Sequence, residues 1–140
     1  VLSIGGAVQA TGAATFIANA FLGSGILGLP VFAALLIIAT FLYLIHTVCP
    51  ISPAWCAIFM PPLLVFAQTV GLASVAPTFM IVCLIAGSYL VPLCPAMNMT
   101  YDTGWYSFKD TSRAGWLASI ALVAAAVVWV YILGYVIGLM

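Results

Sequence analysis

Residues 89–102 read YLVPLCPAMNMTYD. The stretch continues an apolar run of the kind that crosses a bilayer, yet it holds Pro92 and Pro95 with Asn98 close behind. A proline removes a backbone donor and clashes with the turn before it, so two of them three apart interrupt a helix. Peptide groups freed in an apolar setting are costly unless other protein groups pair with them. The stretch therefore reads either as a helix broken at membrane depth inside protein, or as a proline kink healed by neighbouring helices, with Asn98 only packing one helix on another.

Composition supplies the membrane setting. Of 140 residues, 67% are hydrophobic and 3% are charged, against about 25% charged in soluble domains. The charged side chains are Asp102, Lys109, Asp110 and Arg113, and residues 1–101 carry no acidic or basic side chain apart from His46. A single soluble core of this size cannot hide so much apolar surface, whereas ~20 residues per span allow several crossings of a ~30 Å bilayer. The expected class is an all-α integral membrane protein, a polytopic helical bundle in a plasma or inner membrane, with the lipid bilayer as its first partner. A formal net charge of zero and the lack of a basic patch exclude nucleic acid. The chain opens without Met, basic n-region or signal-type cleavage site, inside the apolar run VLSIGGAVQATGAATFIANAFLG. It reads as the continuation of a longer protein, the alternative being a small protein with a trimmed start.

Breakers divide the chain into segments. Residues 1–21 hold Gly5, Gly6, Gln9, Thr11, Gly12 and Asn19, a small-and-amide composition that favours close helix contacts over lipid. After GSGILGLP come two apolar arms, residues 31–49 and 54–70, joined by PISP. As helices they are about 28 and 26 Å long. They form either an ordinary pair of spans or a re-entrant helical hairpin over about 31–70; a joint whose one polar side chain is Ser52 suits both. GLASVAP ends that unit, and a helix over 78–91 leads into the break, giving a broken element over about 78–108. The segment TYDTGWYSFKDTSRAG gathers all four charges, with Trp105 inside it and Trp116 beside it, as at a membrane–water interface. A last span runs from about 113 or 116 to 140, with Asp110, Thr111 or Ser112 able to cap it. Lys109 and Arg113 are the only basic residues, so the positive-inside rule puts loop 102–113 in the cytoplasm and the C-terminus outside. No internal repeat or linker divides the chain: residues 1–140 form one transmembrane unit.

Enzyme chemistry lacks parts. His46 is the only histidine, and no HExxH, GxSxG or G-x-x-x-x-G-K-[ST] phosphate loop occurs. A lone histidine near the end of an apolar arm is more often interfacial or hydrogen-bonded than catalytic. Asp102 is more often solvated, or paired with Lys109 or Arg113, than a cation ligand. Cys49, Cys56, Cys83 and Cys94 show no CxxC spacing and read as small apolar fillers.

TVCPISPAW and VPLCPAMN share one property: prolines interrupt an apolar run and leave small polar groups beside it. Broken helices expose carbonyls at one end, which suit sodium, and N–H groups at the other, which suit a carboxylate or sulfate. The run SYLVPLCPAMNMTYDTGWYSFKDTSRAGW resembles the divalent anion:sodium symporter family. That family carries L-P-V-A-T-P-P-N-A-I, then G-x-G-Y, then F-K-D and a helix start with A-G. Pro92, Asn98, Gly104, Phe108, Lys109, Asp110, Ala114 and Gly115 match, with one residue fewer between the asparagine and the lysine. PPLLVFAQTVGL and IGGAVQATGAATFIA are similar to the family's P-I-x-x-x-A-x-x-x-G-L and to the helix opening its second repeat.

The resemblance implies one inverted repeat of a secondary transporter, the C-terminal half of a longer carrier, with a re-entrant hairpin and a broken helix. It implies sodium-coupled transport of a small divalent anion (dicarboxylate, citrate or sulfate), sodium as coupling ion and no other cofactor. The family's S-N-T tip falls on Ile51, Ser52 and Pro53, a threonine before it on Thr47, the T-P-P-N break on Pro95, Ala96, Met97 and Asn98, and the preceding alanine on Cys94. Ser52, Pro53 and Asn98 are then the expected substrate-binding residues, and Thr47, Ser52, Cys94 and Asn98 the cation-binding ones, largely through carbonyls. The expected partners are a missing N-terminal half or a second copy in a homodimer. Both signature threonines and the tip asparagine are absent, which keeps a second expectation open: a non-transporting subunit, or decayed half-transporter, that packs against a partner.

Overall fold

Pro30 sets where the first helix begins: it presents its carbonyl to the Ala34 N–H at 3.0 Å. The computed structural model describes residues 28–137 except 49 and 51, together with 7, 10–13, 16, 19, 20 and 25, and leaves out the side chains of 54, 95, 96 and 134–137. The reading of residues 1–21 as a packed span lies mostly outside the described residues, as do Cys49 and Ile51.

Helix α1 is Val31–Val48, α2 Ser52–Thr69, α3 Val75–Ile85, α4 Pro95–Tyr101 and α5 Phe108–Ile137. The described residues contain no strand, so the all-helical expectation holds for them. The two arms form α1 and α2 within about two residues of their predicted ends, with the PISP joint as the break between them. Proline at 50 suits that stop, because the residue before a proline is pushed out of the helical region. α2 turns back beside α1: the His46 and Trp55 rings meet edge-on at 5.5 Å, and Ile38 and Leu42 share a small gap with Phe59, Leu63 and Phe66. α2 runs on through Pro61 and Pro62, which removes the bonds those two residues would have given to Ala57 and Ile58. It stops where the sequence reads VGL. Gly71 has φ 76°, Leu72 N–H bonds the Ala67 carbonyl at 2.8 Å and Gly71 N–H reaches that of Gln68 at 3.4 Å. That pair of bonds is a Schellman stop, with the glycine in the left-handed region and buried Leu72 covering the helix end.

α3 is the centre. It packs on α1, α2 and α5, and α1 packs on α5. Its buried stripe is Ala76, Pro77, Met80, Ile81 and Leu84, spaced as one helix face. These side chains meet Ile38 and Leu42 of α1 and Val127 and Val130 of α5 in one core. At 11 residues, α3 is about 16 Å long, half the thickness of a bilayer core.

Two helices, Val31–Val48 and Phe108–Leu133, are long and apolar enough to cross a membrane. Their outward faces are as apolar as their inward ones: Ile37, Phe41, Leu44 and Val48 on α1, Leu117, Ile120, Trp129 and Ile132 on α5 are exposed. Only 28% of the α5 span is buried, unlike the core helix of a soluble protein. A helix apolar all round belongs in a larger protein interior or in lipid.

Three boundaries differ from the sequence reading. α3 spans 75–85 rather than 78–91, so the chain leaves the helix well before Pro92. Pro95 starts a helix instead of breaking one: it stands at the first position of α4, and Cys94 before it is extended (φ −69°, ψ 135°), the conformation a residue before proline prefers. The last helix begins at Phe108, not at 113 or 116. Its cap is Ser107 rather than Asp110, Thr111 or Ser112. The Ser107 N–H and hydroxyl donate to Asp110 Oδ2 at 2.8 and 2.7 Å, so Asp110 serves three residues into the helix as the returning half of a capping box.

Candidate functional site

The non-helical backbone of residues 86–94 lies between α3 and α4, and side chains from two other helices hold it. From α1, the Tyr43 hydroxyl accepts the Tyr89 N–H at 3.4 Å and sits 2.8 Å from Ser119 Oγ of α5. Ser119 already donates to the Gly115 carbonyl at 2.7 Å, so its one hydrogen is used and Tyr43 is the donor between them. The result is a directed chain: Tyr89 N–H to Tyr43, Tyr43 O–H to Ser119, Ser119 O–H to Gly115. Ser112 adds a tether by donating to the Leu90 carbonyl at 2.9 Å. Between these, the Tyr89 carbonyl rests directly on Gly115, where a Cβ would overlap it. Orphan backbone groups of an unwound stretch need such partners.

Beside this segment opens a cavity of about 410 Å³, bounded by Tyr89, Met97, Tyr106, Asp110, Thr111 and Gly115 among others. The size suits a small molecule. Tyr106 forms one wall of it and reaches Thr100 Oγ1 at 2.6 Å and the Met97 carbonyl at 3.3 Å, tying α4 to the start of α5. The one charged side chain on its wall is Asp110, a carboxylate that repels an anion.

The residues expected to bind substrate and cation lie apart from this cavity. Thr47 is buried and donates to the Tyr43 carbonyl of its own helix at 2.9 Å. Ser52 is half-buried at the first residue of α2, with Pro53 exposed beside it. Cys94 is half-buried before α4, its carbonyl accepting the Asn98 N–H at 2.9 Å, and Asn98 is exposed. No hydrogen bond among the described residues joins the 47–53 group to the 94–98 group. What approaches the α1 side is the 86–94 backbone itself, through Tyr43, slightly more than one helical turn before the end of α1.

Sequence reasoning missed Tyr43, Ser112 and Ser119, and gave Gly115 no role beyond matching a motif. A signal existed: Gly115 and Ser119 form a small-x-x-x-small pair on a span, the pattern that lets backbones approach closely. His46 also departs from expectation. It is 2% exposed, and neither ring nitrogen has a hydrogen-bond partner among the described residues. The hydroxyl of Ser88, buried in the unwound segment, likewise has no partner among the described residues. Cys56, Cys83 and Cys94 are half-buried free thiols. Asp102 is exposed and joined to neither Lys109 nor Arg113.

An unpaired buried N–H costs about 1–3 kcal/mol. His46→Phe keeps an aromatic edge against Trp55 and removes both unpaired nitrogens. It is expected to leave stability unchanged or raise it by about 1 kcal/mol, measured by unfolding of the purified protein in micelles. A loss above 2 kcal/mol would mean that the imidazole has a partner in the assembled protein.

Compared with family models, curated proteins and solved structures, the chain matches none.

Proposed function

We propose that the chain supplies one half of the site of a sodium-coupled secondary transporter for a small divalent anion, as the resemblance to the divalent anion:sodium symporters implies. One observation carries this reading: an 11-residue apolar helix stops within the core and gives way to unwound backbone held by side chains of α1 and α5. Interrupted helices with irregular backbone buried in protein are how secondary transporters build sites at the bilayer midplane. In this reading α1 and α2 form a re-entrant hairpin, the chain is a multi-pass membrane protein with loop 102–113 cytoplasmic, and the first repeat completes the pocket. The anion is then held by N–H groups near Ser52, Pro53 and Asn98 with sodium beside them, at Thr47, Ser52, Cys94 and Asn98. Residues 1–101 hold no Lys or Arg, so in this reading the coupling ion supplies the countercharge.

The test is uptake of labelled succinate, citrate or sulfate into proteoliposomes by the full-length protein. The expected result is accumulation of one of them that collapses when the sodium gradient is removed. Uptake of none, or uptake indifferent to sodium, sinks the reading.

A second reading is favoured by a specific observation: Asn98 is exposed, and no hydrogen bond among the described residues joins it to the 47–53 group. On it the chain is a non-transporting membrane subunit that keeps the interrupted helix as architecture. Proteoliposomes that never transport, but in which the chain protects a co-expressed partner from degradation, would favour it.

A further inference from the structure

We infer that Lys109 and Arg113 hold the phosphate of an anionic phospholipid in the groove at the start of α5. The groove, about 460 Å³, is bounded by Phe108, Lys109, Ser112, Arg113 and Trp116. It contains the only two basic side chains of the chain. They stand four residues apart, hence on one face of the helix. Both are exposed, and the Asp110 carboxylate acts on Arg113 electrostatically. No carboxylate bounds the groove: Asp110 gives its Oδ2 to Ser107 and lines the cavity on the other side of the helix. Arg113 interacts electrostatically with Asp110 three residues before it, so that one carboxylate offsets at most one of the two cations, and a phosphate between Lys109 and Arg113 neutralises the charge that remains.

The surroundings select a lipid rather than a free anion. Trp116 is 60% exposed and Phe108 48%, and the apolar surface continues along α5 through Leu117 and Ile120. A headgroup at Lys109 and Arg113 therefore lays its acyl chains on surface that otherwise needs covering. α5 is long and apolar enough to cross a membrane from Phe108 to Leu133, which puts both cations within the first two turns of a span, at headgroup depth. The groove also touches the site already described. Ser112, in its wall, donates to the Leu90 carbonyl of the unwound segment, so a bound headgroup bears on the anchoring of residues 86–94. The inference does not depend on the transport reading, since lipid retention is measured without substrate.

The experiment uses the full chain in phosphatidylcholine nanodiscs titrated with phosphatidylglycerol, with retained lipid counted by native mass spectrometry. A Lys or Arg near a membrane surface contributes about a fivefold preference for anionic lipid. The expected result is therefore a phosphatidylglycerol preference that falls roughly fivefold in K109Q or R113Q and about twenty-five-fold in the double variant. The charge-conserving double variant K109R/R113K should keep the preference, which separates loss of the site from loss of fold. Equal retention of the two lipids overturns the inference, as does a preference that survives the neutral double variant. Sodium phosphate that displaces phosphatidylglycerol at matched concentration overturns the lipid as occupant. So does a dimer that dissociates in the neutral variants while lipid retention stays unchanged, because the face would then belong to a second copy.

Discussion

Gly115→Ala is expected to destabilise the protein by about 1–3 kcal/mol, the usual range for forcing an atom into a packed site. The sign is diagnostic. In a helix interior, alanine is favoured over glycine by about 1 kcal/mol, and Gly115 lies well inside α5. Taken as an isolated helix, α5 should therefore gain from the change. What opposes the gain is the Tyr89 carbonyl, which occupies the place a Cβ would take. The obstructing atom is backbone, so it cannot rotate aside as a flexible side chain would. Relief needs a shift of the unwound segment, and that segment is pinned at Tyr89 by Tyr43 and at Leu90 by Ser112. Equilibrium unfolding in mixed micelles, followed by tryptophan fluorescence, measures the change; a variant as stable as the parent, or more stable, removes the close contact from the description. Gly115→Val should cost more again. If the transport reading holds, both variants lose uptake in proportion to the displacement of 86–94.

The same contact explains what the sequence could and could not disclose. Local chemistry was legible. Pro30, the PISP joint and VGL fix the ends of α1 and α2, because proline and left-handed glycine act on their own neighbours. The break near Pro92 was legible for the same reason, but its extent was not. Proline at 92 disfavours helix for only the preceding few residues, whereas α3 ends at Ile85. The difference is made by α1 and α5, whose relevant side chains are remote in sequence; Tyr43 and Ser119 are 76 residues apart. The returning half of a capping box was written plainly as SFKD at 107–110, and treating Asp110 as the cap instead of the acceptor that reaches back to Ser107 displaced the helix start. The candidate site divides similarly. Prolines at 50, 53, 92 and 95 announce interruptions, but which side chains face which cannot be inferred from spacing when the register of two helices is unknown. Asn98 illustrates this: α4 is one short helix from Pro95 to Tyr101, and on it Asn98 turns outward while Met97 lines the cavity.

Tyr43→Phe is expected to release the unwound segment. The variant removes one oxygen from a buried position and leaves the ring in place, so packing against the core is kept. It deprives the Tyr89 N–H of its acceptor and Ser119 Oγ of its donor. Ser119 still donates to the Gly115 carbonyl and loses little. The Tyr89 N–H has no other partner among the described residues, and leaving such a group unpaired costs about 1–2 kcal/mol. That corresponds to a factor of about 5–30 in an equilibrium, which sets the expected increase in amide hydrogen exchange over residues 86–94. Exchange in the middle of α3, around Met80 and Ile81, should change much less, because those residues are fully buried and keep their helical bonds. Uniform acceleration across the chain would instead mean that Tyr43 acts only through global stability. Ser119→Ala provides the second half of a cycle. It strands the Tyr43 hydroxyl proton, but once Tyr43 is phenylalanine no proton remains to strand. The double variant should therefore lose less stability than the two single losses added together, by at least about 0.5 kcal/mol. Strict additivity would place Tyr43 and Ser119 in separate networks and leave the unwound segment without the two-helix anchor on which its position rests.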